Sequence, residues 1–234
     1  MDSCQWYSTE MAKSVKPPRR YDSPHRREQA EQTRREIVAA ASLLFLERGY
    51  AGTTMATIAA DAGVVVETVY RAFDGKAALF RAVVEAALAG SIERSERPVD
   101  ERPAIATMIA EPNPARQVEL YAATQPGIHR RAGPLIRALR DARGLDPELA
   151  SVWHEMEAWR RRGQGQFAEM LSSRGVLRPG LSAATAGDIV WTLCSLAVHD
   201  LLVLERNWSV QRYGEWLAAA LKRELLPDEL DDRR

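Results

Sequence analysis

The stretch from Thr53 to Lys76, TTMATIAADAGVVVETVYRAFDGK, has the pattern of two short helices joined by a tight turn. Thr53 or Thr54 can cap the first helix, because a side-chain hydroxyl accepts from a free backbone N–H group. Gly63 follows the first helix, and glycine adopts a positive φ without steric cost. The stretch therefore predicts a helix-turn-helix, followed by the start of a third helix.

The second helix of this unit has one apolar side and one side available for contact. Val66, Val69 and Phe73 share a face at helical spacing. Thr68 and Tyr70 lie between these positions and are expected to point outward. In a helix-turn-helix, this second helix enters the major groove of DNA.

Spaced positions through this stretch and around it match a known pattern: Gly49-Tyr50, Thr53-Thr54, Ile58-Ala59, Ala62-Gly63-Val64, Thr68-Val69-Tyr70, Phe73, Lys76 and Leu79-Phe80. With these residues, the chain from about Thr33 to Ala87 closely resembles the N-terminal domain of TetR-type transcriptional repressors. The resemblance covers roughly a quarter of the chain. It implies an all-α protein: a three-helix helix-turn-helix DNA-binding domain, then a C-terminal helical domain for ligand binding and dimerisation.

Side-chain chemistry and the resemblance together give the candidate DNA contacts: Thr54, Met55, Ala56, Val66, Glu67, Thr68, Tyr70, Arg71 and Lys76. Thr and Tyr hydroxyls donate to phosphate oxygens, and Arg donates to phosphate or guanine. Met55 and Ala56 offer apolar contact, for example to a thymine methyl group. Lys76 at the start of a helix would hold a phosphate together with the free N–H groups there. The alternative for Lys76 is an ordinary solvated surface charge.

Residues 65–67 depart from the pattern of the resembling family, which commonly has Ser after the equivalent of Gly63-Val64. Val65 cannot cap a helix with its side chain. Glu67 suits the positive end of a helix but repels a nearby phosphate. It could instead accept from a cytosine amino group, so the base preference of the family does not transfer.

Composition restricts the class of protein without naming a partner. The 234 residues are 46% hydrophobic, and 32 Lys+Arg balance 32 Asp+Glu. Cys4 and Cys194 are too few for a disulfide framework, and no signal-peptide pattern is present, so a cytoplasmic location is expected. The most apolar stretch, Ile189 to Leu204, contains His199 and Asp200 and favours a buried core helix over a membrane span.

Four segments are expected along the chain. Residues 1–28 are polar, proline-containing and basic at their end, which predicts a flexible arm. That arm is either a solvated tail or a DNA-contacting segment. Residues 29–95 form the DNA-binding domain with its linking helix, residues 96–226 the regulatory and dimerisation domain, and residues 227–234 a charged tail.

No alternating strand pattern occurs, so the fold class is all-α. Outside the helix-turn-helix, helices are predicted at about 27–48, 76–94, 104–111, 115–142, 146–173, 182–206 and 209–225. The helix at 115–142 is expected to be interrupted near Pro126-Gly127 or Gly133-Pro134.

Large aromatic and sulfur-containing side chains in two of these helices are candidates for an effector pocket: Trp153, Met156, Trp159, Trp191 and Cys194. Such side chains line many ligand sites, although ordinary core packing explains each one equally well. The predicted ligand is largely hydrophobic or aromatic, with His154 or His199 as one of a few polar partners.

The leading hypothesis is a homodimeric, operator-binding regulator, most simply a repressor, that a small hydrophobic molecule releases from DNA. The last two helices are rich in apolar residues and, in the resembling family, form the dimer interface. One alternative is a helical protein-binding or ligand-independent module with a weak DNA head. The remote alternative is an enzyme, but no catalytic triad, phosphate loop or metal-ligand spacing is present, and no metal or cofactor is expected. His154 with Glu157 is more simply a polar pair.

Overall fold

The computed structural model describes residues 24–144 and 147–228, and within these ranges the chain is helical with no strand. The predicted all-α fold class is confirmed. Most of the predicted arm lies outside the described residues. Its last part, residues 24–28, belongs to the first helix instead, because Arg and Glu are good helix formers that extend it.

The N-terminal head contains four helices: α1 Pro24–Gly52, α2 Met55–Asp61, α3 Val66–Ala72 and α4 Gly75–Ala89. Gly49 has a φ of 67° and interrupts the helical geometry of α1. This is the residue at which the sequence predicts the first helix to end. Gly63, also at φ 67°, makes the turn between α2 and α3.

The body follows with α5 Ile92–Ser95, a 3₁₀ turn at Val99–Glu101, α6 Pro103–Ala110, α7 Pro114–Ala142, α8 Pro147–Ser173, α9 Ala183–Leu193, α10 Leu196–His199, a π-helical turn at Asp200–Glu205, and α11 Val210–Leu225. Ser182 and Ser209 cap α9 and α11, each accepting from the N–H group three residues on.

Three predicted helices differ from the structure. The helix predicted to 94 ends at Gly90, which adopts the left-handed conformation at φ 96°. The expected interruption of α7 is absent, because packing against neighbouring helices holds the segment around Pro126 and Pro134 helical. The helix predicted at 182–206 breaks after Cys194, and the Ser195 hydroxyl caps α10.

Within the described ranges, no single helix is both long and apolar enough to cross a membrane. By length and composition alone, the segments Ala183–Leu193 and Leu196–Glu205 meet that requirement only as a pair, bent by 41°.

The first hydrophobic core joins the head to the body, and we call it the head–body core. Its head members include Ile37, Leu44, Phe45, Ile58, Val69, Leu79 and Phe80, and its body members are Ile92, Ala132, Leu135, Ile136, Leu139, Leu149, Val152 and Met156. Apart from Ile92 of α5, the body members come from α7 and α8, so these helices complete the core beneath the helix-turn-helix.

The second core lies wholly in the body. Its member Tyr213 belongs to a polar cluster with the buried His129 and His199 and the half-buried Arg137 and Asp200. His129 Nε2 lies 3.2 Å from the Cys194 carbonyl oxygen, and its Nδ1 lies 3.4 Å from the Tyr213 hydroxyl. His199 Nδ1 lies 3.0 Å from Asp200 Oδ1. Burial, followed by the neighbouring His199, lowers the pKa of His129 from its ordinary 6.5 to about 4.

Candidate nucleic-acid interface and effector cleft

Two threonines before α2 fix the start of the helix-turn-helix. Thr54 Oγ1 accepts from the Thr57 N–H at 3.1 Å, and Thr57 Oγ1 accepts in return from the Thr54 N–H at 3.1 Å. This reciprocal capping box satisfies two otherwise free donors. Thr53 is fully buried and its hydroxyl lies 2.8 Å from the Gly49 carbonyl oxygen, which ties the end of α1 to the start of α2.

The second helix of the unit, α3, is held at its C-terminal end. Val69 is fully buried, and Phe73 is buried just after the helix. Arg34 of α1 donates to the Ala72 carbonyl at 2.9 Å and lies 4.2 Å above the Phe73 ring. A cation here also suits the negative end of the helix. At the N-terminal end of α3, Val65 provides no side-chain cap, as expected of a side chain without a hydrogen-bonding atom.

Most of the predicted DNA contacts lie on the surface of the head. Exposed side chains are those of Thr54, Ala56, Glu67, Tyr70 and Arg71, and half-buried ones are those of Val66, Thr68 and Lys76. The prediction is wrong for Met55. This residue is 6% exposed and packs in the head–body core, since the first turn of α2 must bury one apolar side chain. Met55 therefore supports the interface from below and is not part of its surface.

Lys76 is positioned by an aromatic ring. Its Nζ lies 4.1 Å from the centroid of Tyr50, which itself packs edge-on to Phe80 at 5.5 Å. Lys76 is the second residue of α4, and Asp74 gives no side-chain cap to that helix. The start of α4 thus combines an ammonium group with backbone N–H groups that a phosphate can accept from.

A cleft of about 420 Å³ opens on the body side of the head, between α4 and α8, and we call it the α4–α8 cleft. Its lining residues are Arg81, Val84, Glu85, Leu88, Ser95, Arg102, Val152, Glu155, Met156, Ala158, Trp159 and Arg162. Sequence reasoning missed its charged residues, because they are of surface type and lie far apart in sequence, on α4, on α8 and, for Arg102, in the connection before α6.

The predicted pocket residues do not share one site. Met156 and Trp159 line the α4–α8 cleft, whereas Trp153 lies beneath Arg143, whose guanidinium is 4.6 Å from its ring centroid. A second cavity, of about 500 Å³, does lie between α8 and the helix after Ser182, where the sequence predicts the pocket, but none of the five predicted residues lines it. The lining of the α4–α8 cleft is more charged than expected, because its second wall is α4.

The remaining two predicted residues are packed away from the cleft. The Trp191 ring lies under Arg160, with the guanidinium carbon 4.9 Å from the ring centroid. Cys194 is buried in the second core, and burial raises the pKa of its thiol to about 12. A thiol held neutral in this way serves packing and is not a nucleophile.

The fold and this surface together define a helix-turn-helix DNA-binding domain on a helical body. The sequence model of "Bacterial regulatory proteins, tetR family" matches residues 37–83. Over 59 residues, the chain is 42% identical to the HTH-type transcriptional regulator TtgR of Pseudomonas putida. That match covers 25% of this chain and 28% of the length of TtgR.

Solved structures share the fold over most of the chain. NalD, the secondary repressor of the MexAB-OprM multidrug efflux pump in Pseudomonas aeruginosa, superposes with a TM-score of 0.61 at 22% identity, covering 85% of this chain and 99% of NalD. A transcriptional-regulator structure from Saccharomonospora viridis in complex with choline gives 0.63 at 16% identity, covering 84% and 99%. Residues 37–83 thus match the tetR family model, and the chain shares the fold of these solved transcriptional regulators over most of its length.

Proposed function

We propose that this chain is a ligand-responsive transcriptional repressor that binds a roughly palindromic operator as a homodimer. The observation that carries the proposal is the exposed set of Thr54, Tyr70 and Arg71 on a capped helix-turn-helix, with Lys76 at the start of the next helix. Hydroxyl, guanidinium and ammonium groups at such positions suit phosphate and base-edge contacts. NalD, of similar fold, is described as a repressor, which supports the same role here.

The effector part of the proposal rests on the α4–α8 cleft. One wall is α4, the helix that follows directly from the helix-turn-helix, and the other is α8 of the body. Arg81 of α4 is paired with Glu155 of α8 at 2.7 Å, and Arg131 of α7 donates to the Ala87 carbonyl near the end of α4 at 3.2 Å.

A small molecule in the cleft would touch both α4 and α8. It would favour whichever arrangement of these helices it binds more tightly, and the spacing of two heads in a dimer would follow. That a protein of similar fold forms a complex with choline supports a small-molecule role for the body.

The decisive experiment is a footprint with the purified full-length chain on the DNA flanking its gene. We expect a protected site with two half-sites about one helical turn, roughly 10 base pairs, apart or a multiple of that distance. Affinity should fall linearly with the logarithm of salt concentration, because bound phosphates release counterions. Absence of any protected site at low salt would reject the proposal.

Dimerisation gives a separate prediction. Leu201 and Leu204, each 52% exposed, lie on the π-helical turn before α11, and exposed apolar patches commonly mark interfaces. We expect the wild-type chain to sediment as a dimer at micromolar concentration and the Leu201→Glu/Leu204→Glu variant to sediment as a monomer.

The control for dimerisation is Leu43→Glu, since Leu43 is 59% exposed but lies on α1 of the head. This variant should remain dimeric. A monomeric wild-type chain, or a double variant that stays dimeric, would contradict the assignment of the interface to the last two helical segments.

A further inference from the structure

The charges in the α4–α8 cleft are not balanced. Its lining carries Arg81, Arg102 and Arg162 against Glu85 and Glu155, which leaves one positive charge. Arg81 and Glu155 neutralise each other at 2.7 Å. The unmatched positive charge therefore belongs to Arg102 and Arg162, with Glu85 opposing it in part.

Arg102 is a guanidinium with weak partners. It is half-buried, and among the described residues its Nη2 contacts two carbonyl oxygens, those of Ser95 and Arg97, each at 3.5 Å. Its Nε is buried and has no hydrogen-bond partner among the described residues. Burial also lowers the pKa of Arg102 from its ordinary value. A cation in this condition gains from an anion that supplies the missing acceptor.

Arg162 lies on the α8 wall of the same cleft and is exposed. Within the part of the chain that the structure describes, no hydrogen bond or ion pair to its side chain occurs. Arg161, the preceding residue, has its guanidinium carbon 5.6 Å from the Trp191 ring and lines no part of this cleft. Two neighbouring arginines of one helix thus face different surroundings.

Apart from Ser95, the rest of the lining is apolar. Val84 and Leu88 come from α4, and Met156 and Trp159 from α8, with Trp159 40% exposed. Such a surface binds a hydrocarbon or aromatic group through burial of apolar area. The cleft is amphiphilic: apolar side chains of two helices with guanidinium groups among them.

We propose that the α4–α8 cleft binds a monoanionic amphiphile, whose carboxylate or equivalent anionic group pairs with Arg102 and Arg162 while its apolar part contacts Met156 and Trp159. This assignment rests on the proposed function and specifies the effector class. It replaces the nearly apolar effector that the aromatic residues alone predict. Glu85 disfavours a second negative charge in the same cleft.

The test uses three probes with one hydrocarbon part: 4-phenylbutyrate, 4-phenylbutan-1-ol and 4-phenylbutylamine. Binding to the full-length protein without DNA is measured by calorimetry and by the tryptophan fluorescence. We expect the carboxylate to bind about tenfold more tightly than the alcohol, the size expected of one charge-assisted contact, and the amine to bind no better than the alcohol. Equal binding of acid and alcohol, tighter binding of the amine, or no binding of the acid at millimolar concentration overturns the proposal.

Matched variants locate the site. Arg162→Gln should weaken carboxylate binding about threefold to tenfold and leave alcohol binding unchanged, because the lost contact is to the anionic group alone. Arg161→Gln removes the same charge from the adjacent residue and should change neither carboxylate binding nor alcohol binding. Equal effects of the two variants would mean non-specific attraction and overturn the assignment.

Operator release is measured separately, so the two proposals fail in different ways. If the acid binds in an Arg162-dependent manner and the operator complex persists, the ligand class stands and effector-controlled release is rejected. If no operator is bound at all, the DNA-binding proposal fails while the binding data still decide the ligand class.

Discussion

Replacing Tyr70 and Lys76 with alanine is expected to weaken operator binding about a hundredfold while leaving the chain folded. Tyr70 is 57% exposed on α3, and Lys76 stands at the start of α4, where backbone N–H groups are also available. A dimer would lose four contacts, and a combined loss of about 3 kcal/mol corresponds to about a hundredfold in affinity.

The salt dependence identifies the kind of contact that is lost. Removing one lysine–phosphate contact from each protomer should reduce the slope of log affinity against log salt by about two. Arg130→Ala is the control, because Arg130 carries the same charge as Lys76 and is exposed, but lies on α7 of the body. Thermal melting checks the fold, since Lys76 also contacts the Tyr50 ring. Unchanged affinity and slope in the double variant would mean that another face of the head meets DNA.

The second large effect is a loss of stability in mild acid. His129 is 5% exposed, and its pKa is lowered to about 4 by burial and by His199. As pH falls through 6.5 the unfolded chain takes up a proton at His129, whereas the folded chain does so only near pH 4. The stability of the folded chain that depends on neutral His129 is therefore fully present above pH 6.5 and lost as the pH falls from 6.5 to 4. The loss amounts to about 3 kcal/mol of unfolding free energy.

Urea unfolding at a series of pH values measures this effect. His129→Gln removes the titrating group, so its unfolding free energy should fall by about 3 kcal/mol less than that of the wild type over the same pH interval. His154→Gln is the control, because His154 is exposed on α8. If the unfolding free energy of His129→Gln has the pH dependence of the wild type, another group dominates the loss of stability in acid.

The head could be predicted from sequence because local chemistry decides it. The Thr54 cap, the Gly63 turn and the buried Val69 each act within a few residues, and their spacing survives in the structure. Met55 could not be placed, because the choice between surface and core at that position depends on how α2 packs against helices distant in sequence.

The body was less predictable because its features depend on tertiary packing. Pro126 and Pro134 suggest a break that packing of α7 overrides, whereas Ser195 makes a break that the apolar sequence around it conceals. The effector cleft follows the same rule. Arg102 and Arg162 are distant in sequence and have no shared periodicity, so only the folded chain shows that both line one cavity.

The head–body core has a consequence for building chimeric regulators. A graft cut at residue 95 would carry the helix-turn-helix but leave behind Leu135, Leu139 and Val152, on which its core closes. The cut surface would then meet whatever side chains the recipient body presents at those positions. Operator specificity in this architecture is therefore transferred most safely by exchanging the exposed residues of α3 in place, with the scaffold beneath them kept intact.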